Sequence, residues 1–147
     1  VSIGYLKENV ADSTTFRTWV EAEDAAGAKE HIYETAEKEP GMPFALITAE
    51  AGRAERNGMG VSDSYQWEGG LALWFDAIAT STDDRDAIAA FMVRVQPIIE
   101  EILEYSGRPG YLSIESIETE GAGFAEIDRK DADGKKTVQI KYMVRWK

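Results

Sequence analysis

The strongest pattern in the chain lies in residues 82–106, where Ile88, Phe91, Met92, Val95, Ile98, Ile99, Ile102 and Leu103 recur at three- and four-residue spacings. That period places the apolar side chains on one stripe of a helix. Asp83, Asp84 and Asp86 stand at its start, where carboxylates meet free N–H groups and the positive end of the helix dipole. Gly107, with Pro109 two residues on, supplies a stop. Pro97 cannot donate to the helical ladder, so a kink is expected near the middle.

A period of two marks the other end of the chain. Val138, Ile140, Tyr142, Val144 and Trp146 alternate with Gln139, Lys141, Met143, Arg145 and Lys147. One face is apolar and the other largely basic, which predicts a strand in a sheet with one packed face. Asp131-Ala132-Asp133-Gly134 reads as the turn before it, and residues 112–128 as its hairpin partner, with Gly121 and Gly123 marking a bulge or bend. Residues 67–78 read as a long strand. Residues 44–48 and 31–36 read as two shorter ones, with Pro40-Gly41-Met42-Pro43 the turn between them. Near the start, Tyr5, Leu6, Val10, Phe16, Trp19 and Val20 fit one or two short helices interrupted at Asp12-Ser13-Thr14, and residues 22–29 fit helix or loop. Residues 52–64 read as a long loop, of a length usually tied to function or disorder. The expected architecture is a single α+β domain over residues 1–147. Its sheet is mainly antiparallel, of about five strands, packed against one long kinked helix with short N-terminal helices.

Composition narrows the function. The 147 residues are 44% hydrophobic and 29% charged, an ordinary globular balance. Sixteen Lys and Arg against 27 Asp and Glu give a net charge of −11. Such acidity argues against specific nucleic-acid binding and against anionic membrane surfaces. No signal peptide is expected from the first residues, and the longest apolar run, residues 88–93, is far too short to span a membrane. There is no cysteine, so disulfides, thiolate nucleophiles and cysteine-based metal sites are excluded. The charge is unevenly spread. Residues 1–128 carry nine bases and 25 acids, whereas residues 129–147 carry seven bases and two acids. A basic last strand on an acidic body offers self-complementary electrostatics, which in a head-to-tail contact would close a ring.

Candidate chemistry is sparse. His31 is the sole histidine, and no Gly-x-Ser-x-Gly elbow exists to pair with it, so it reads as a surface or edge-strand imidazole. Glu100, Glu101 and Glu104 read as a solvated helix flank. Asp128, Asp131 and Asp133 before Gly134 resemble half a calcium loop, but Arg129 and Ile140 occupy the first and twelfth positions, and a hairpin turn fits better. Asn57-Gly58-Met59-Gly60 lacks the ending of a P-loop. No catalytic, cofactor-binding or metal-ligating set is therefore expected. Trp74 differs from its neighbours, because it shares a face with Glu68 and Asp76 while Leu71, Leu73 and Phe75 face the other way. It is either an interface residue or covered by a second layer such as the N-terminal helices.

The order of pieces resembles a family. Ala-Lys-Glu-His31-Ile32-Tyr33 leads to Pro40-Gly41-Met42-Pro43-Phe44-Ala45-Leu46-Ile47, then to a variable loop and Gly70-Leu71-Ala72-Leu73-Trp74-Phe75-Asp76. An amphipathic helix, Ile114-Glu115-Ser116-Ile117 and a closing Tyr142-Met143-Val144-Arg145-Trp146 follow. This is similar to the tail terminator and tail-completion (neck) proteins of tailed bacteriophages and prophages, over nearly the whole chain. The resemblance implies a non-enzymatic structural protein of virion assembly. Such proteins form a ring, usually hexameric, that caps the tail tube and joins it to the head connector. They are made in the host cytoplasm and end in the virion neck. An acidic ring would let DNA slide past without sticking. The candidate subunit-interface residues are Arg53, Arg56 and Met59 of the presumed loop, Trp74, and Arg145 and Lys147 of the last strand. Arg53 and Arg56, the only bases between Lys38 and Arg85, are expected to meet an acidic neighbour. Two other readings stand beside this one: a small α+β enzyme or ligand-binding domain using the sheet face, and another phage head–tail connector component.

Overall fold

The computed structural model describes residues 2–34, 42–57, 64–79, 84–126 and 136–146. Three short helices open the chain: α1 (Ser2–Ala11), α2 (Thr14–Trp19) and α3 (Ala25–Lys29). The break expected at Asp12-Ser13-Thr14 is a helix cap, since Ser13 Oγ accepts a hydrogen bond from the Phe16 amide at 3.1 Å. Asp24 caps α3 in the same way, accepting from the Gly27 amide at 2.7 Å. Strands β1 (Ile32–Tyr33), β2 (Phe44–Asn57) and β3 (Ser64–Ile78) precede the long helix α4 (Asp84–Tyr105), and β4 (Ile114–Glu126) and β5 (Lys136–Trp146) end the fold.

The strands form one sheet in the order β1-β2-β3-β5-β4, antiparallel except for the parallel pair β1 and β2. This is the expected α+β architecture. Parallel pairing means that β1 and β2 are not joined as a hairpin, and Pro40 and Gly41 of the expected turn lie outside the described residues. The first strand is also shorter than expected, two residues rather than six, with residues 35–41 outside the described set. The second is far longer. Residues 52–57, read from the sequence as loop, are strand, each opposite a residue of β3 from Gly52↔Gly69 to Asn57↔Ser64. The backbone ladder, not side-chain alternation, makes them so.

The four helices among the described residues lie on one face of the sheet. Phe75 meets Phe16 at 6.3 Å, Trp19 at 6.0 Å and Tyr142 at 6.1 Å between ring centroids, and Trp19 also meets Phe91 of α4 at 5.8 Å. Ile47, Leu73, Val95, Ile98, Ile102, Ile140 and Val144 fill the remaining core. The α4 stripe is buried as its spacing predicts, except that Ile88 is half-buried and Met92 and Leu103 are exposed. The helix continues on both sides of Pro97, which is itself exposed.

Two polar clamps hold the helical layer. Asn9, fully buried, donates from Nδ2 to the Ile102 carbonyl at 3.2 Å and accepts at Oδ1 from the Leu112 amide at 3.0 Å. Glu101 of α4 accepts from Ser13 Oγ at 2.5 Å and from the Thr15 amide at 3.2 Å. The reading of Glu101 as a solvated flank is thereby corrected: its carboxylate fixes the N-terminus of α2, where free amides and the helix dipole favour it. Strand β4 forms the far edge of the sheet, with register shifts between Ile114 and Ser116 and between Thr119 and Gly121. The second is the bulge that Gly121 and Gly123 predicted.

Candidate interaction surfaces

Because side chains alternate along a strand, the face opposite the helices carries Leu46 and Thr48 of β2, Ala72, Trp74 and Asp76 of β3, and Gln139, Lys141, Met143 and Arg145 of β5. Leu46, Trp74 and Lys141 stand in one cross-strand row. The Lys141 ammonium lies over the Trp74 ring, 4.9 Å from its centroid. Leu46, Trp74 and Met143 are half-buried and Arg145 is exposed. The N-terminal helices do not cover Trp74, since they pack on the Phe75 side. Cover of this tryptophan by the N-terminal helices is thereby removed.

One end of this face is closed. Phe44, Asp76 and Thr137 are buried, and the Tyr33 ring meets Phe44 edge-on at 5.5 Å. Asp76 is 6% exposed and Gln139 Nε2 reaches its Oδ2 at 3.5 Å, a long contact, while Oδ1 has no partner among the described residues. Burial pushes the carboxyl up to about 6, with the Gln139 hydrogen bond pulling weakly the other way.

A second surface lies on the solvent side of α4. Ala89, Val93, Pro97, Glu100 and Glu104 share one stripe at helical spacing, and all five are exposed, Val93 by 74%. Ala89, Ala90, Val93 and Pro97, with Arg94 and Thr15 of α2, line a shallow apolar depression of about 620 Å³. An exposed β-branched residue within an apolar strip departs from the polar face expected of an ordinary surface helix.

A third feature is made of backbone. The pairing of β3 with β5 ends at Gly69↔Trp146. Beyond it, residues 53–57 and 64–68 pair only with each other among the described residues. They form a two-stranded arm of about 17 Å at the ordinary rise per residue. Arg53 and Arg56 lie on this arm, opposite Glu68 and Tyr65. Three positions apart on one strand, they occupy opposite faces of the ribbon. Met59 and Lys147 lie outside the described residues, as does the turn at residues 128–134. By register the positions of Trp74, Arg145 and Arg53 share one face of the strands, and that of Arg56 lies on the other.

Catalytic groups do not converge among the described residues. His31 sits between α3 and β1, its amide donating to the Ala28 carbonyl at 3.0 Å, and its Nδ1 is buried with no partner there. No group of three or more metal-ligating side chains is present among them either. No helix among them is long and apolar enough to cross a membrane.

No family model matches the chain, and no curated protein matches it significantly. Its backbone is similar to a chain in the virion of a native gene transfer agent particle, with a TM-score of 0.42 and 5% sequence identity. That alignment covers 97% of this chain and 91% of the other. A likeness at that level carries no argument about what this chain does.

Proposed function

We propose that the protein is a non-enzymatic structural subunit of a phage-type particle, and that it forms the tail terminator or tail-completion ring. The β2–β3 arm carries this reading. A two-stranded ribbon is marginal in water without a third strand or a packed layer. No third strand pairs with residues 53–57 and 64–68 among the described residues. A neighbouring subunit would supply the missing support. The family resemblance gives the type of assembly, and the bases on the arm suit contact with an acidic neighbour in a chain of net charge −11. Acidity also suits a passage through which DNA moves without being held. The tail tube protein and the head connector are the partners this role requires.

Native mass spectrometry of the whole chain at high concentration tests the reading. One closed ring mass is expected, and a strict monomer would overturn it. Replacing Arg53 and Arg56 together by Glu is expected to weaken self-association. Unchanged assembly would remove the arm from the contact.

A further inference from the structure

At the closed end of the Trp74 face, Phe44 of β2, Asp76 of β3 and Gln139 of β5 stand in one cross-strand row. Asp76, in the middle, is buried, and no donor reaches its Oδ1 among the described residues. Gln139 approaches Oδ2 only at 3.5 Å. A carboxyl so placed is comfortable with its proton and costly without it, because a buried charge lacking a partner has lost its water.

The two sides of the row differ in strength. On the Gln139 side, β5 runs along β3 from Gly69↔Trp146 to Ile78↔Thr137 and is flanked in turn by β4. On the Phe44 side, β1 pairs with β2 only at Ile32↔Ala45 and Tyr33↔Leu46. The Tyr33 ring packs on Phe44, Ile32 is buried, and the Ala45 amide donates to the His31 carbonyl at 2.9 Å. A short edge strand is the part of a sheet that opens at the lowest cost.

We infer that Asp76 is a proton-operated latch on β1. With the proton on, Phe44 and Tyr33 stay packed and β1 stays on the sheet. With it off, the carboxylate draws water in past Phe44 and β1 loosens. Because β1 caps the β2 edge, the latch sets whether the backbone of Ala45 and Leu46 is covered or open to another strand. The latch goes beyond the ring reading and does not depend on it.

The other charged and titratable groups at this end, among the described residues, come from β1 and β5. They are His31 and Tyr33, Glu34, which Lys7 of α1 approaches at 3.8 Å, and Lys141, whose ammonium lies over Trp74. From β4, Gly121 and Gly123 stand beside Lys141 and Gln139, and Glu118 lies farther along, beside Met143. Burial holds the Asp76 carboxyl at about 6 while β1 is closed, against an ordinary 3.8 in water. Opening therefore releases a proton between those values and becomes easier as pH rises through them.

Native-state hydrogen exchange of the full-length chain, followed by NMR, reads the latch at the Ala45 amide. Corrected for intrinsic exchange, its opening constant is expected to rise about 20-fold from pH 4.5 to 7.5. That opening is expected to be nearly independent of urea below the unfolding transition, whereas the Ile140 amide, in mid-sheet, is expected to exchange only through urea-dependent unfolding of the whole chain. D76N is expected to remove the rise at Ala45, and H31Q to keep it, which separates the carboxyl from the imidazole. In the wild type, the Asp76 carboxyl carbon is expected to titrate where the Ala45 rise levels off, a check that stands even where D76N fails to fold. Any one of four results would overturn the latch: a flat Ala45 opening constant, a rise that survives in D76N, an Ala45 amide that exchanges only together with Ile140, or an Asp76 carboxyl that titrates at its ordinary value.

Discussion

Phe75 and Trp74 are neighbours in sequence and opposites in environment. One residue step along β3 separates a ring held among Phe16, Trp19 and Tyr142 from a ring that meets only the Lys141 ammonium among the ring contacts described. The same strands thus build a face that packs beneath the helices and a face turned away from them. The contrast shows that large aromatics in a strand cannot be counted as core by type alone. Parity along the strand decides which side each serves, and the helices decide which side is the interior.

Three measurements would break or sharpen that contrast. The largest effect is expected from Phe75→Ala, which should cost roughly 3–5 kcal/mol by emptying a buried ring site. Trp74→Ala should cost only about 1 kcal/mol in the monomer, where it forfeits part of one half-buried cation–π pair. Urea unfolding at low protein concentration checks both, and equal losses would mean the two faces are not distinct in folding.

The second concerns the closed end of the Trp74 face. Asp76 has a folded-state pKa of about 6 against an ordinary 3.8, so the folded chain holds its proton more tightly than the unfolded one. Its contribution to stability is full below about 4 and is lost as pH rises through about 6. Asp76→Asn should abolish that dependence and stabilise the protein at pH 7 by up to about 3 kcal/mol. Thermal unfolding from pH 4 to 7.5 reads it. A wild-type stability that is flat across this range would show that the carboxyl is not desolvated there.

The smallest effect tests how the helical layer is fastened. Ser13→Ala removes the cap on α2 and one of the two donors to Glu101, and should cost about 1 kcal/mol. Loss of helical signal near α2, followed by amide exchange, would accompany it.

Much of the fold was legible where side-chain pattern makes structure. The three-and-four spacing of Ile88 through Leu103 forms α4, and the alternation of Val138 through Trp146 forms β5 with the faces it implies. The arm was not legible. Glu50-Ala-Gly-Arg-Ala-Glu-Arg-Asn57 has no apolar alternation, and its strand exists through backbone pairing with β3, which leaves no mark in composition. Glu101 was missed for a related reason, since its partner Ser13 lies 88 residues away. Asn9 carried a signal: an amide between Leu6 and Val10 falls inside a helical stripe, and a polar residue so placed must find partners. At the candidate surfaces, the sequence reading reached Trp74 and Arg145. It passed over Val93, which sits in an apolar run but on the wrong side of its helix for the core.

The irregular far edge of the sheet has a consequence for solubility. An open strand is a template onto which any other extended chain can add, and repeated addition ends in fibres. Strand β4 meets that hazard with two register shifts, which break the straight run of backbone groups. It also carries exposed Glu115, Glu118 and Glu120, which repel a like-charged copy. Edge-to-edge growth is thereby discouraged.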